Sequence, residues 1–183
     1  MPDIISKNDS PWSKEQISAL VSTHRFPLLY FAVGIVGNIA DAEDVVEDAF
    51  VRLLIKKPRL RDDTAIRSYL YSTVKNRAID HLRKQKRDRA HAEALATVAT
   101  EDLYLIEKQL CQNETRHELF DASRTLSPND RQLVYLRYFE ELPPRRIAQI
   151  LSKPVKYVYN RIGRIQKQLA DILHKEVTTD ENS

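Results

Sequence analysis

The chain is expected to be all-α, with two small helical domains joined by a flexible linker. Three observations lead there. Only three glycines occur in 183 residues, and the abundance of Leu, Ala, Glu, Arg and Lys favours helix over turn-rich sheet. Apolar residues recur at three- and four-residue steps, the spacing of one helical face. Charge is segregated: Lys75 to Arg89 holds seven cations against two acids, and Arg131 to Lys167 holds nine against two. Between them, residues 93–118 hold six acids against two cations. Two basic units flanking an acidic connector suit a protein that touches nucleic acid at two places.

The first domain is expected over residues 13–89 as four helices. Ser13 with Gln16 forms a capping box that starts a helix through about Arg25. Pro27 breaks or restarts it, and a second apolar helix runs from Leu28 to Val36, closed by Gly37-Asn38. A third runs from near Asp41 to Ile55, with Val45, Ala49 and Leu53 inward and Asp44, Glu47 and Asp48 outward. Residues 56–63 form a polar loop with a proline. A long fourth helix, about 64–87, turns Ile66, Leu70, Val74, Ile79 and Leu82 inward and ends in the basic run.

Residues 90–118 are expected to be the linker, its first part mobile and a helix starting near Leu103. The second domain, 119–175, opens with Ser127-Pro128-Asn129-Asp130, a capping serine followed by proline at the first helical position. Residues 143–151 then read as a short proline-opened helix carrying Arg145, and Ser152-Lys153-Pro154 as a turn. In the helix that follows, Val155, Val158, Ile162 and Ile165 share a buried face. Lys156, Tyr157, Tyr159, Asn160, Arg161 and Arg164 share the opposite one. Helix, three-residue turn and basic helix make a helix-turn-helix, its second helix aimed at a major groove. Cations, an amide and rings on one stripe can meet phosphates and base edges together. Residues 177–183 read as a polar tail.

Two further stretches carry alternative meanings. The acids of residues 41–48 complement a helix dipole, offer a docking face, or hold a metal; no histidine lies near to favour the last. Residues 65–84 interleave tyrosines with cations. They are either a track for an unpaired strand or a core helix with solvated charges, and the second basic unit downstream favours the track.

Other classes are excluded or weakened. His24, His81, His91, His117 and His174 lack ligand spacing, and no nucleophilic triad or glycine-rich phosphate loop occurs, so neither enzyme nor metal nor cofactor is expected. Cys111 alone cannot form an internal disulfide and fits a reducing cytoplasm. The N-terminus has no signal-peptide pattern, and the apolar run 33–39 is too short to span a bilayer, so no membrane insertion is expected.

These residues carry a family resemblance. Residues 37–50, Arg67-Ser68-Tyr69-Leu70-Tyr71 and residues 76–83 resemble the conserved domain of bacterial sigma factors of the extracytoplasmic-function group. Residues 126–131, Leu136-Arg137-Tyr138 and Ile147-Ala148-Gln149-Ile150-Leu151 resemble that family's −35-binding domain. The resemblance covers about residues 17–87 and 119–173. It implies a dissociable RNA polymerase subunit that recognises −10 and −35 promoter elements and assists strand opening, without covalent chemistry. An autonomous helix-turn-helix regulator is the alternative, though no dimer face is visible.

The resemblance also implies residue roles. Asp44, Glu47, Asp48, Phe50 and Leu54 would dock on core polymerase, whose β′ coiled coil and β flap are the expected contacts. Lys57, Arg59, Arg61, Tyr69, Lys75, Asn76, Arg77, Asp80, Arg83 and Lys84 would serve the −10 element. Arg145, Lys156, Tyr157, Tyr159, Asn160, Arg161, Arg164 and Lys167 would serve the −35 element. An anti-sigma factor is a further implied partner. Tyr69 stands where the family has tryptophan, Glu141 and Ser152 where it has glycine, and these are expected to touch the fold little. Tyr157, Tyr159 and Asn160 depart on the reading face, so the promoter sequence is this chain's own.

Overall fold

A computed structural model describes residues 13–88 and 114–180. The expected linker up to residue 113, the helix start near Leu103 and Cys111 lie outside the described residues. The described residues form seven α-helices: α1 Lys14–Val36, α2 Ile39–Lys56, α3 Asp63–Asp88, α4 Glu114–Ser123, α5 Pro128–Val134, α6 Pro144–Leu151 and α7 Val155–Asp180. A π-helical turn, Tyr135–Phe139, extends α5.

The first unit has three helices, not four. Ser13 caps α1 reciprocally with Gln16, as its sequence predicts, but the helix runs unbroken through Pro27. An interior proline costs about 3 kcal/mol or more. On either side of it, however, His24, Leu28, Leu29, Phe31, Ala32 and Val33 are buried. Each large apolar side chain there contributes roughly 1.5–3 kcal/mol, so a few outweigh the break. Gly37, at φ +86°, ends the helix by donating its N–H to the Val33 carbonyl. Asn38 then caps α2, its Oδ1 accepting from the Asp41 N–H at 2.8 Å. Helix α1 is long and apolar enough to cross a membrane, but Leu28, Leu29, Phe31, Ala32 and Val33 are buried and the helix packs against α2 and α3.

In the second unit the Ser127 hydroxyl accepts from the Asp130 N–H, and Pro128 starts α5. Leu133, Leu136, Leu142, Ile147 and Ile150 form the inner layer on which α7 lays Val158, Ile165 and Leu169. Two turns around α6 use left-handed backbone at residues with side chains: Glu141 at φ +54° and Ser152 at φ +53°. Both are positions where the family resemblance implies glycine. A side chain costs roughly 1–2 kcal/mol in that region, so these substitutions touch the fold more than expected. Helix α7 also continues to Asp180, through residues expected to be tail.

The two units share one core. Tyr30 of α1 packs edge-on to Phe120 of α4 at 5.0 Å, and Tyr71 of α3 faces Tyr135 at 6.3 Å. The Tyr135 hydroxyl donates to the Pro27 carbonyl at 3.2 Å. Arg67 of α3 donates to the Glu140 carbonyl at 2.8 Å, and Lys75 to the Ser152 hydroxyl at 2.9 Å. Helix α6 therefore lies along α3, with the turn before α7 at one end of that contact.

Candidate nucleic-acid interface

The outer face of α7 is set by its inner one. Val158, Ile162, Ile165 and Leu169 are buried at three- and four-residue steps, which turns Lys156, Tyr157, Tyr159, Asn160, Arg164 and Lys167 to solvent. Tyr159 is 56% exposed and Tyr157 44%. The Lys153 ammonium sits 5.8 Å from the Tyr157 ring centre, so the turn and the helix present one combined ring-and-cation surface. Arg145 on α6 is exposed beside it in the same motif.

Arg161 is placed differently from its neighbours. Its Nε and Nη2 donate to the two carboxylate oxygens of Asp130 on α5, each at 2.6 Å. Asp130 is only 4% exposed. The Arg161 hydrogen bonds hold its carboxyl below the usual aspartate range, against the opposing effect of burial. The guanidinium is thus committed inside the motif.

On α3 four of the expected residues gather at a cleft of about 310 Å³ facing α2. Tyr69, Asn76, Arg77 and Asp80 line it from α3, and Arg52 and Lys56 from α2. Here the arginines have acid partners. Arg77 pairs with Asp48 and, at 3.5 Å, with Asp80, while Arg83 meets Asp80 at 3.7 Å. Asn76 and Lys84 are exposed, as are Lys57, Arg59 and Arg61 in the loop that leads to α3. Lys75 belongs to a different face, where it holds Ser152, and burial together with nearby Lys153 lowers its pKa.

On α2, Asp44 and Glu47 are exposed, while Asp48 is drawn inward by Arg52 and Arg77. Phe50 corrects the sequence reading: it is 8% exposed and belongs to the core, so it offers a partner no surface. Leu54 is half-buried. The exposed apolar residues are Val51 and Ile55, the latter 73% exposed. With Asp44 and Glu47 they make a stripe at three- and four-residue steps. That spacing was present in the sequence, one position out of phase with the expected pair.

Residues 20–88 match the family described as Sigma-70 region 2, and residues 116–169 match Sigma-70, region 4. The chain belongs to the sigma-70 family. The two matched regions contain, in order, the α3 cleft and the exposed stripe of α7. This sigma factor is 26% identical over 171 residues to the extracytoplasmic-function RNA polymerase sigma factor SigW of Bacillus subtilis, covering 87% of this chain and 91% of that one. It is also 26% identical to SigV of the same organism, covering 90% and 95%. Two solved structures share its fold. The sigma factor RpoE of Bartonella quintana, in complex with the anti-sigma factor NepR, matches with TM-score 0.62 at 19% identity over 88% of this chain and 98% of that one. CnrH, in complex with the cytosolic domain of CnrY, matches with TM-score 0.54 at 21% identity over 91% and 92%. The protein is an alternative sigma factor of the extracytoplasmic-function group that directs promoter recognition by RNA polymerase. Sigma factors are initiation factors rather than catalysts.

Proposed function

We propose that this sigma factor docks on core RNA polymerase through the outer stripe of α2 and meets promoter DNA at two separate surfaces. Asp44 and Glu47 supply charge, and Val51 and Ile55 supply apolar contact, to the β′ coiled coil. The second unit, 119–175, meets the β flap and reads the −35 element through α7. The first unit, 13–89, holds the −10 element in the α3 cleft, with the exposed loop 57–62 that leads into α3 as a further contact, and residues 90–118 connect the two. Opening is driven by binding, because stacking on Tyr69 and contacts from Asn76 offset the few kcal/mol needed to unstack bases. The chain acts in the cytoplasm and has no covalent chemistry of its own; an anti-sigma factor is a further partner.

The observation that carries this reading is the pairing of two unlike surfaces, one open and cationic on α7, one cleft-shaped and ion-paired on α3. An exposed acidic and apolar stripe beside the cleft supports the docking role. Asp44→Lys with Glu47→Lys reverses the charge on that stripe without touching the core. Affinity capture of core polymerase should fall at least tenfold with helical content unchanged; undiminished capture would remove α2 from the docking surface.

A further inference from the structure

The pair that joins α5 to α7 has no role in the function just proposed. Asp130 lies in the first turn of α5, and one of its oxygens also accepts from the Ser127 hydroxyl at 2.7 Å. That oxygen and its partner receive the Arg161 fork at 2.6 Å each. The acid is therefore held from both sides, by its own helix cap and by a helix 31 residues away in sequence. Arg161 stands on α7 between Asn160, which is exposed, and Ile162, which is buried. It occupies the border of the inner and outer faces.

Position on that border has a mechanical meaning. The inner layer of Val158, Ile162, Ile165 and Leu169 is made of apolar contacts, which are non-directional and tolerate small rotations of a helix about its axis. A planar guanidinium meeting a planar carboxylate through two parallel hydrogen bonds does not tolerate them. A rotation that moved Arg161 would break both bonds and leave Asp130 buried and unpaired. The same rotation would swing Asn160 and Arg164 across the groove, because they lie one and three residues away on the same helix.

We infer that Asp130 and Arg161 form a clamp that fixes the rotation of the reading helix, so that Arg161 is a positioning residue and not a base reader. The inference rests on the −35 role proposed for α7. It predicts that Arg161 and Asp130 act as one unit, although only one of them lies on the DNA side of the motif.

The test uses the full chain assembled with core polymerase and a panel of promoters, each altered at one −35 position. Arg161→Ala and Asp130→Asn should each weaken promoter binding roughly tenfold, as expected if the aligned rotation is then populated about a tenth of the time and is selected on binding. The loss should be the same on every panel member, and the double variant should bind no more weakly than either single one. The rate of opening once bound, and the amplitude at saturating promoter, should stay at wild-type values, whereas simple unfolding would reduce the amplitude. The salt dependence should also be unchanged, since Arg161 neutralises no phosphate. If the single variants do not fold, Asp130→Asn with Arg161→Gln keeps a hydrogen bond and buries no charge, and should reproduce the even loss.

Loss of preference at one −35 position by Arg161→Ala, with a wild-type profile in Asp130→Asn, overturns the clamp. Asn160→Ala and Arg164→Ala serve as controls for the −35 role. If both leave binding unchanged, that role fails, and the clamp is then judged by urea unfolding of the chain. Non-additive effects of the two substitutions sustain it there, and additive effects overturn it.

Discussion

The outer faces of α3 and α7 carry similar residues, tyrosine, asparagine, arginine and lysine, and hold them in opposite ways. On α7, Lys156, Tyr159, Asn160, Arg164 and Lys167 face solvent. On α3, Arg77 and Arg83 are tied to Asp48 and Asp80, and the far side of the helix is covered by the second unit through Arg67, Tyr71 and Lys75. An open cationic face can meet a duplex at once. An ion-paired face presents acid beside its arginines, which must exchange partners first. Exposed pairs of this kind are each worth about 0–1 kcal/mol, so the exchange is cheap when a displaced strand offers better contacts. Composition alone would have made the two faces equivalent; the difference lies in which charges already have partners.

That contrast can be broken most directly by one substitution on each face. Asn160→Ala should weaken binding of a duplex −35 fragment by about 1–3 kcal/mol and relax preference at one position. Asn76→Ala should leave that binding at wild-type strength and instead slow strand opening, read by permanganate reactivity of −10 thymines on a fully paired promoter. A pre-opened mismatch bubble should restore much of the Asn76→Ala activity. Equal effects of both substitutions in both assays would erase the distinction.

The contrast extends to two buried carboxylates in the second unit. Asp130, paired with Arg161, has its pKa lowered, while Glu140, beside the Tyr135 hydroxyl at 3.3 Å, has its pKa raised by burial. The signs are opposite. Asp130 contributes stability that is complete above the ordinary aspartate value and is lost as pH falls through its lowered folded value. Glu140 binds its proton more tightly when folded, so stability falls as pH rises from the ordinary glutamate value through the raised one. Thermal unfolding from about pH 3 to about pH 8 should therefore show Asp130→Asn removing part of the acid limb and Glu140→Gln flattening the decline above it. A steeper decline in Glu140→Gln would reverse the assignment.

The smallest effect concerns the turn that brings α6 against α3. Glu141 holds a left-handed backbone, and its ion pair with Arg116 is long, at 3.9 Å. Glu141→Gly should raise unfolding stability by roughly 0.5–1 kcal/mol in urea titration, as backbone strain is relieved. A loss of stability would mean that the Arg116 contact outweighs the strain.

Much of this was legible in the sequence, for a physical reason. Three- and four-residue spacing encodes which helical face is buried, so Val158, Ile162 and Ile165 of α7, the exposed stripe opposite them and the caps at Ser13 and Ser127 follow from local residues. Val155, expected on the buried face, is instead 37% exposed, and Asn38, expected to close the preceding helix, caps α2. Pro27 was misread because its local penalty is visible in sequence, whereas the burial that outweighs it is tertiary. Phe50 and Leu54 were expected where Val51 and Ile55 are exposed, because the expected apolar pair was set one position off the exposed one. The Asp130 pair with Arg161, the Lys75 contact with Ser152 and the Tyr135 contact with Pro27 span 31, 77 and 108 residues. No periodicity encodes such polar pairs, and it was these that set Arg161 apart from its exposed neighbours on α7 and the covered side of α3 from the open one.

Run-off transcription with purified core polymerase tests the central claim most directly. Core enzyme with this chain should start transcripts at discrete sites that core enzyme alone does not use, and charge reversal at Asp44 and Glu47 should abolish them. Sequence-specific binding of the free chain to DNA as a dimer, with no new start sites when core enzyme is added, would contradict the account.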